Sequence, residues 1–125
     1  METALQFIQE QMDKLSIPYE FGEWTQNITY PYYVGEITEE PITTEDGLQR
    51  STIIINGFHR GAYVDLLTDA ANMKKHFHPI HGLRASTNEG AIAVFYENAF
   101  FVPTNEAGLK RIQINLSVKE WKGAL

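Results

Sequence analysis

Residues 109–121 constrain the fold more than any other stretch. Ile112, Ile114, Leu116 and Val118 alternate there with Arg111, Gln113, Asn115, Ser117 and Lys119. A period of two belongs to a β-strand, whose successive side chains point to opposite sides of a sheet. Leu109–Trp121 therefore reads as a strand with one buried face. Its other face is wet or lies against something polar.

The remaining segments fall into place around it. Leu5, Ile8, Met12 and Leu15 recur at three and four residues, which predicts a helix over 2–16 with Thr3 as a candidate cap. Ser16-Ile17-Pro18 should end it, because a residue before proline is pushed out of the helical region. Tyr19–Trp24 is a candidate short strand. Tyr30–Ile37 is aromatic and β-branched and reads as a strand, with Pro31 at its start. Thr38–Gln49, with Pro41 and Asp46-Gly47, reads as a loop or loose hairpin arm. Arg50–Phe58 is a strand, and its Ile53-Ile54-Ile55 run places it centrally in a sheet. A second helix is expected over 62–77, with Leu66, Leu67, Ala70, Met73 or Lys74, and Phe77 as its stripe and Asp65 and Asp69 early in it. His78–Gly90 is a polar connection, Ala91–Val102 a core strand, and Pro103–Gly108 a hairpin turn. The expected fold is α+β: one domain over 1–125, a mainly antiparallel sheet of about four strands, and two helices packed on one face. Ile54, Leu67, Ile114 and Leu116 are expected in its core.

Composition excludes several classes. The 125 residues include no cysteine, so disulfides and thiolate metal sites are out. The segment METALQFIQEQMDKL carries Glu2, Glu10, Asp13 and Lys14 and has no apolar h-region, unlike a signal peptide, and no apolar run reaches the length of a membrane span. A net charge of −6 argues against nucleic acid as the main partner. The distribution of charge says more than the total. Residues 1–49 hold ten acids and one base, Lys14, whereas residues 50–125 hold nine bases and six acids. If the fold interleaves the halves, nothing follows. If it keeps them apart, the protein has one acidic and one basic flank, suited to head-to-tail self-association.

Candidate chemistry is thin. His76, His78 and His81 fall within six residues and are the best metal candidates, with His59 elsewhere. The plainer reading is a solvated helix end and its loop. Ser51, Ser86 and Ser117 have no nucleophile-elbow setting. Glu39-Glu40 and Glu45-Asp46 lack the alternating spacing of a calcium loop. The glycines of Gly57-Phe58-His59-Arg60-Gly61 read as easing the strand into the second helix. Trp24, Tyr30, Tyr32, Tyr33 and Phe58 offer stacking faces, but the acidic half has no interleaved Lys or Arg, so packing or a protein interface fits better. No catalytic, cofactor or metal residue is assigned, and no enzymatic activity is expected.

Four pieces in order, Phe21-Gly22-Glu23-Trp24-Thr25, Tyr30-Pro31-Tyr32-Tyr33-Val34-Gly35-Glu36, Glu45-Asp46-Gly47 and Asn56-Gly57-Phe58-His59-Arg60-Gly61, resemble small head–tail and tail-completion proteins of bacteriophages and prophages of low-GC Gram-positive bacteria, the tail terminator family. The likeness covers roughly residues 1–80, and the last hairpin follows only in element order. It implies an α+β structural subunit in a ring, typically a hexamer, that caps the tail tube and faces the head connector. Its expected place is the virion, and the host cytoplasm during assembly. The family offers no catalytic residue or cofactor to carry over. Partners would be other copies, the tail-tube protein and the connector, with no membrane and no sequence-specific nucleic acid. Two rival classes are a metal-binding protein or metal-dependent enzyme built on His76, His78 and His81, and a small monomeric host binding module.

Overall fold

A computed structural model describes residues 2–40, 47–88 and 90–122. Two helices and six strands follow one another as α1 (Glu2–Lys14), β1 (Tyr19–Phe21), β2 (Tyr32–Glu39), β3 (Leu48–His59), α2 (Tyr63–His76), β4 (Leu83–Thr87), β5 (Gly90–Val102) and β6 (Lys110–Lys122). The strands form one sheet in the order β1-β2-β3-β6-β5-β4. β1 runs parallel to β2 and every other pairing is antiparallel.

This overturns the expectation of about four strands with two helices packed on one face. The sheet is mixed and six-stranded, and it curls into a half-barrel. Both extra strands lie at the edges. Edge strands are short and half wet, so their apolar signal is weak. β4, LRAST, sits inside what composition marks as a polar connection. A register shift between Tyr96 and Asn98 leaves Glu97 as an extra residue in β5. Such a bulge bends the strand and increases its twist, which favours curling.

The core fills the hollow of the curl. From the sheet come Tyr33, Ile53, Ile55, Ile92, Val94, Ile112, Ile114, Leu116 and Val118; α1 adds Ala4, Ile8 and Met12, α2 adds Leu66, Ala70 and Met73, and Phe77 follows at its C-cap. β6 keeps its alternation throughout, with every second residue from Ile112 to Glu120 buried. Of the four expected core residues, Ile114 and Leu116 are fully buried, Ile54 is only half-buried, and Leu67 is 50% exposed. Ile54 fails because register puts it on the other side of β3 from Ile53 and Ile55. Central position alone does not bury both faces when no layer covers the outside.

α1 stops by a backbone device as well as by Pro18. Ser16 adopts φ 58°, its N–H bonds the Asp13 carbonyl, and the Ile17 N–H bonds the Met12 carbonyl. These are the paired bonds of a Schellman ending, and Ile17 and Met12 share the core as that motif requires. Thr3 lies within α1 and does not cap it. Gly57 is not a strain-free bend. It sits within β3, and a Cβ there would collide with the Tyr33 ring and stand 2.9 Å from Ile112. Its missing side chain is the seat for Tyr33, and Gly35 seats Tyr19 in the same way on the neighbouring strand.

Candidate functional site: two oppositely charged flanks

The three histidines take different partners once folded. His76, at the end of α2, has its Nε2 2.8 Å from Oε1 of Gln11, tying α2 to α1. Burial, with Lys14 nearby, holds its pKa below the ordinary value. His78 is committed elsewhere: its Nδ1 accepts the backbone N–H groups of Ile80 and His81, each at 3.1 Å. The His81 ring stacks on His78, centroids 4.6 Å apart. Among the described residues no group of three His, Cys, Asp or Glu side chains converges on a point a metal ion could occupy. Glu45 and Asp46 lie outside the described residues.

His59 and Tyr33 anchor α2 from below. The His59 Nε2 lies 2.8 Å from Asp65 Oδ2, and the Tyr33 hydroxyl donates to Asp69 Oδ2 at 2.6 Å. Asp65 and Asp69 are one turn apart, so two acids on one helix face meet two rings from adjacent strands. Burial first, and the Asp69 carboxylate second, push the Tyr33 hydroxyl far above its usual range. His59 is buried and its Nδ1 has no partner among the described residues. A His–Asp pair invites a nucleophile, but Ser51 lies eight residues back along β3, about 26 Å at 3.3 Å per residue. Ser117 projects from the other side of the sheet, opposite Thr52, and Ser86 sits exposed on β4.

The aromatic residues divide by face. Tyr33 goes inward. Trp24, Tyr32 and Phe58 form a continuous run of rings at 5.0 and 5.2 Å on the outer side, with Tyr30 5.8 Å from Tyr32. Basic residues do reach this run: the Arg60 guanidinium stands over Tyr30 and that of Arg111 over Phe58. Both come from beyond residue 49, which is why the acidic half alone hides them. Arg60 also donates to Glu106 at 2.7 Å. The outer face continues as an amide row. Arg111 donates to Asn56 Oδ1, Asn56 to Glu36, Gln113 to Asn115, and Asn115 to Asn98. The polar face read from β6 thus carries two bonded groups, one across β6, β3 and β2 and one across β6 and β5.

The charge split survives folding. β1 and β2 bear Glu20, Glu36 and Glu39 and no base, and α1, packed on β1, adds Glu10 and Asp13 against Lys14. The other half of the sheet bears Lys110, Arg111, Lys119 and Lys122 on β6 and Arg84 on β4, against Glu97 and Glu120. α2, packed on β3, β5 and β6, carries Asp65 and Asp69 early and ends in Lys74, Lys75 and His76. Within the sheet the split follows strand order, because β1 and β2 lie on one side of β3 and β6, β5 and β4 on the other; α1 bridges the two sides, packing on β1 and lining a cavity with Ser86 and Thr87 of β4. On the acidic side, the Thr25 hydroxyl and N–H both bond Glu20 and hold its pKa low. On the basic side a cavity of about 430 Å³ opens between Tyr63, Phe101, Lys110 and the 103–109 turn. No helix is long and apolar enough to cross a membrane among the described residues. No protein-family model matches the chain, and no curated protein matches it.

Proposed function

We propose that this protein is a structural subunit that joins copies of itself head to tail into a closed ring, with six copies favoured, and that the ring serves phage assembly as a tail terminator or head–tail joining piece. One observation carries the self-association: the half of the sheet formed by β1 and β2 is acidic, and the half that contains β6 is basic. A cyclic ring needs contacts in which one flank of a subunit meets the opposite flank of the next. Opposite charge on those flanks favours that contact over like meeting like. The phage role rests on the sequence resemblance. In that role one rim of the ring meets the last tail-tube ring and the other meets the connector, and no bond is made or broken.

The test is deletion of the gene from the phage or prophage genome that carries it. Electron microscopy of the lysate should show filled heads and tails as separate particles, with tails of abnormal length for a terminator. Normal infectious particles from the deletion would refute the role.

A further inference from the structure

α2 carries two apolar faces. One enters the core. The other presents Tyr63, Val64 and Leu67, which are 53%, 61% and 50% exposed. Phe101 of β5 meets Tyr63 edge-on at 4.9 Å and is itself 40% exposed. Four of the nine exposed large hydrophobics among the described residues thus gather at one place, beside the cavity between α2 and the β5–β6 turn. Its border is basic. The Lys110 ammonium sits 4.9 Å from the centre of the Tyr63 ring, and Lys74 and Lys75 close the helix. Three acids lie near it, each bonded to a neighbour: Asp65 to His59, Asp69 to Tyr33 and Glu106 to Arg60. An apolar patch with such a rim marks a protein contact.

The acidic flank carries the complement. Phe21 on β1 and Ile28 in the loop after it are exposed, with Glu23 beside them in the chain and with Glu20 and Glu36, which accept from Thr25 and Asn56, adding negative charge to the same flank. We infer that the α2–β5 patch of one copy seats the β1 edge of the next, with Phe21 and Ile28 against Tyr63 and Leu67 and the acids against Lys110 and Lys74. This names the contact within the proposed ring and rests on that reading. A two-fold contact of the patch with its own copy would set Lys74, Lys75 and Lys110 against one another, which charge opposes.

The absence of cysteine makes the test clean. Leu67→Cys and Phe21→Cys are prepared as separate full-length proteins, both at exposed positions, and circular dichroism and melting confirm their folds. Each alone, and an equal mixture, is treated with a bifunctional maleimide at high protein concentration and low salt. The mixture should give a covalent dimer several-fold above either variant alone. Equal or greater crosslinking of Leu67→Cys with itself overturns the proposal in favour of a two-fold contact. If the unmodified protein sediments as an assembly and the mixture gives no dimer, this contact is wrong while the ring stands. If neither assembly nor dimer forms, both are wrong.

Discussion

The two helices are nearly the same length and use their surfaces differently. α1 turns Ala4, Ile8, Gln11 and Met12 inward and shows solvent Gln6, Glu10, Asp13 and Lys14. α2 turns Leu66, Ala70 and Met73 inward, with Phe77 at its C-cap, yet shows Tyr63, Val64, Leu67 and Ala71 outside. A helix that only covers a core has one apolar stripe, because a second one gains nothing from water. α1 fits that description. Among the described residues nothing buries the outer stripe of α2, and it lies beside Lys110. The core stripe accounts for the stability of the domain; the outer stripe is the surface that the proposed contact would cover.

The largest effect that separates the two stripes is in stability. Leu66→Ala should cost about 2–5 kcal/mol, as for a fully buried aliphatic. Leu67→Ala, one residue on, should change monomer stability by no more than about 0.5 kcal/mol. It should instead weaken assembly, whereas Gln6→Ala on the outer side of α1 should alter neither. Urea denaturation of dilute protein measures the first two, and sedimentation measures the third. Equal destabilisation by Leu66→Ala and Leu67→Ala would abolish the distinction between the stripes.

A smaller effect concerns what holds α2 to the sheet. Tyr33→Phe keeps the ring in its seat over Gly57 and removes only the hydroxyl that bonds Asp69. A hydrogen bond to a charged group is worth about 1.5–3 kcal/mol, and the half-exposed setting of Asp69 places the loss at or below the lower end. A loss as large as that of Leu66→Ala would mean that the ring had moved as well.

The smallest effect sits where the helices touch. His76 bonds Gln11, and its folded pKa lies below its unfolded value near 6.5 because burial and Lys14 disfavour the imidazolium. The unfolded chain then binds the proton more readily than the folded one. This contribution is complete above pH 6.5 and is lost as pH falls through the lower folded value. His76→Gln cannot titrate, so the stability of the wild-type protein relative to this variant should decline as pH falls below 6.5. A difference independent of pH would show that His76 is equally protonated in both states.

How much of this was legible in sequence depended on whether the signal was local. β6 was readable residue by residue because strict alternation needs no knowledge of partners. The hairpin at 103–108 and the central place of β3 followed from turn residues and an isoleucine run. β4 was not readable, since five residues with one leucine and two hydroxyls look like any polar connector. Leu67 was misplaced because helical spacing admits both Leu66 and Leu67, and only docking decides which faces the sheet. Arg60 and Arg111 beside the aromatic run were invisible for the same reason: they lie far from Trp24 in sequence and next to it in space. The acidic and basic halves were plain in the chain, but the placing of β1 and β2 on one side of β3 and of β6 on the other came from strand order alone.

Flank-to-flank association is tested most directly by sedimentation of the purified protein over a range of concentration and salt. Exposed charges interact over about 10 Å at 0.1 M salt and only about 3 Å at 1 M. At high concentration and low salt the mass should rise toward a closed ring, with six times the 14.3 kDa monomer favoured, and it should fall back as salt increases. A mass of 14.3 kDa at every concentration and every salt, or an assembly that salt strengthens, would contradict it.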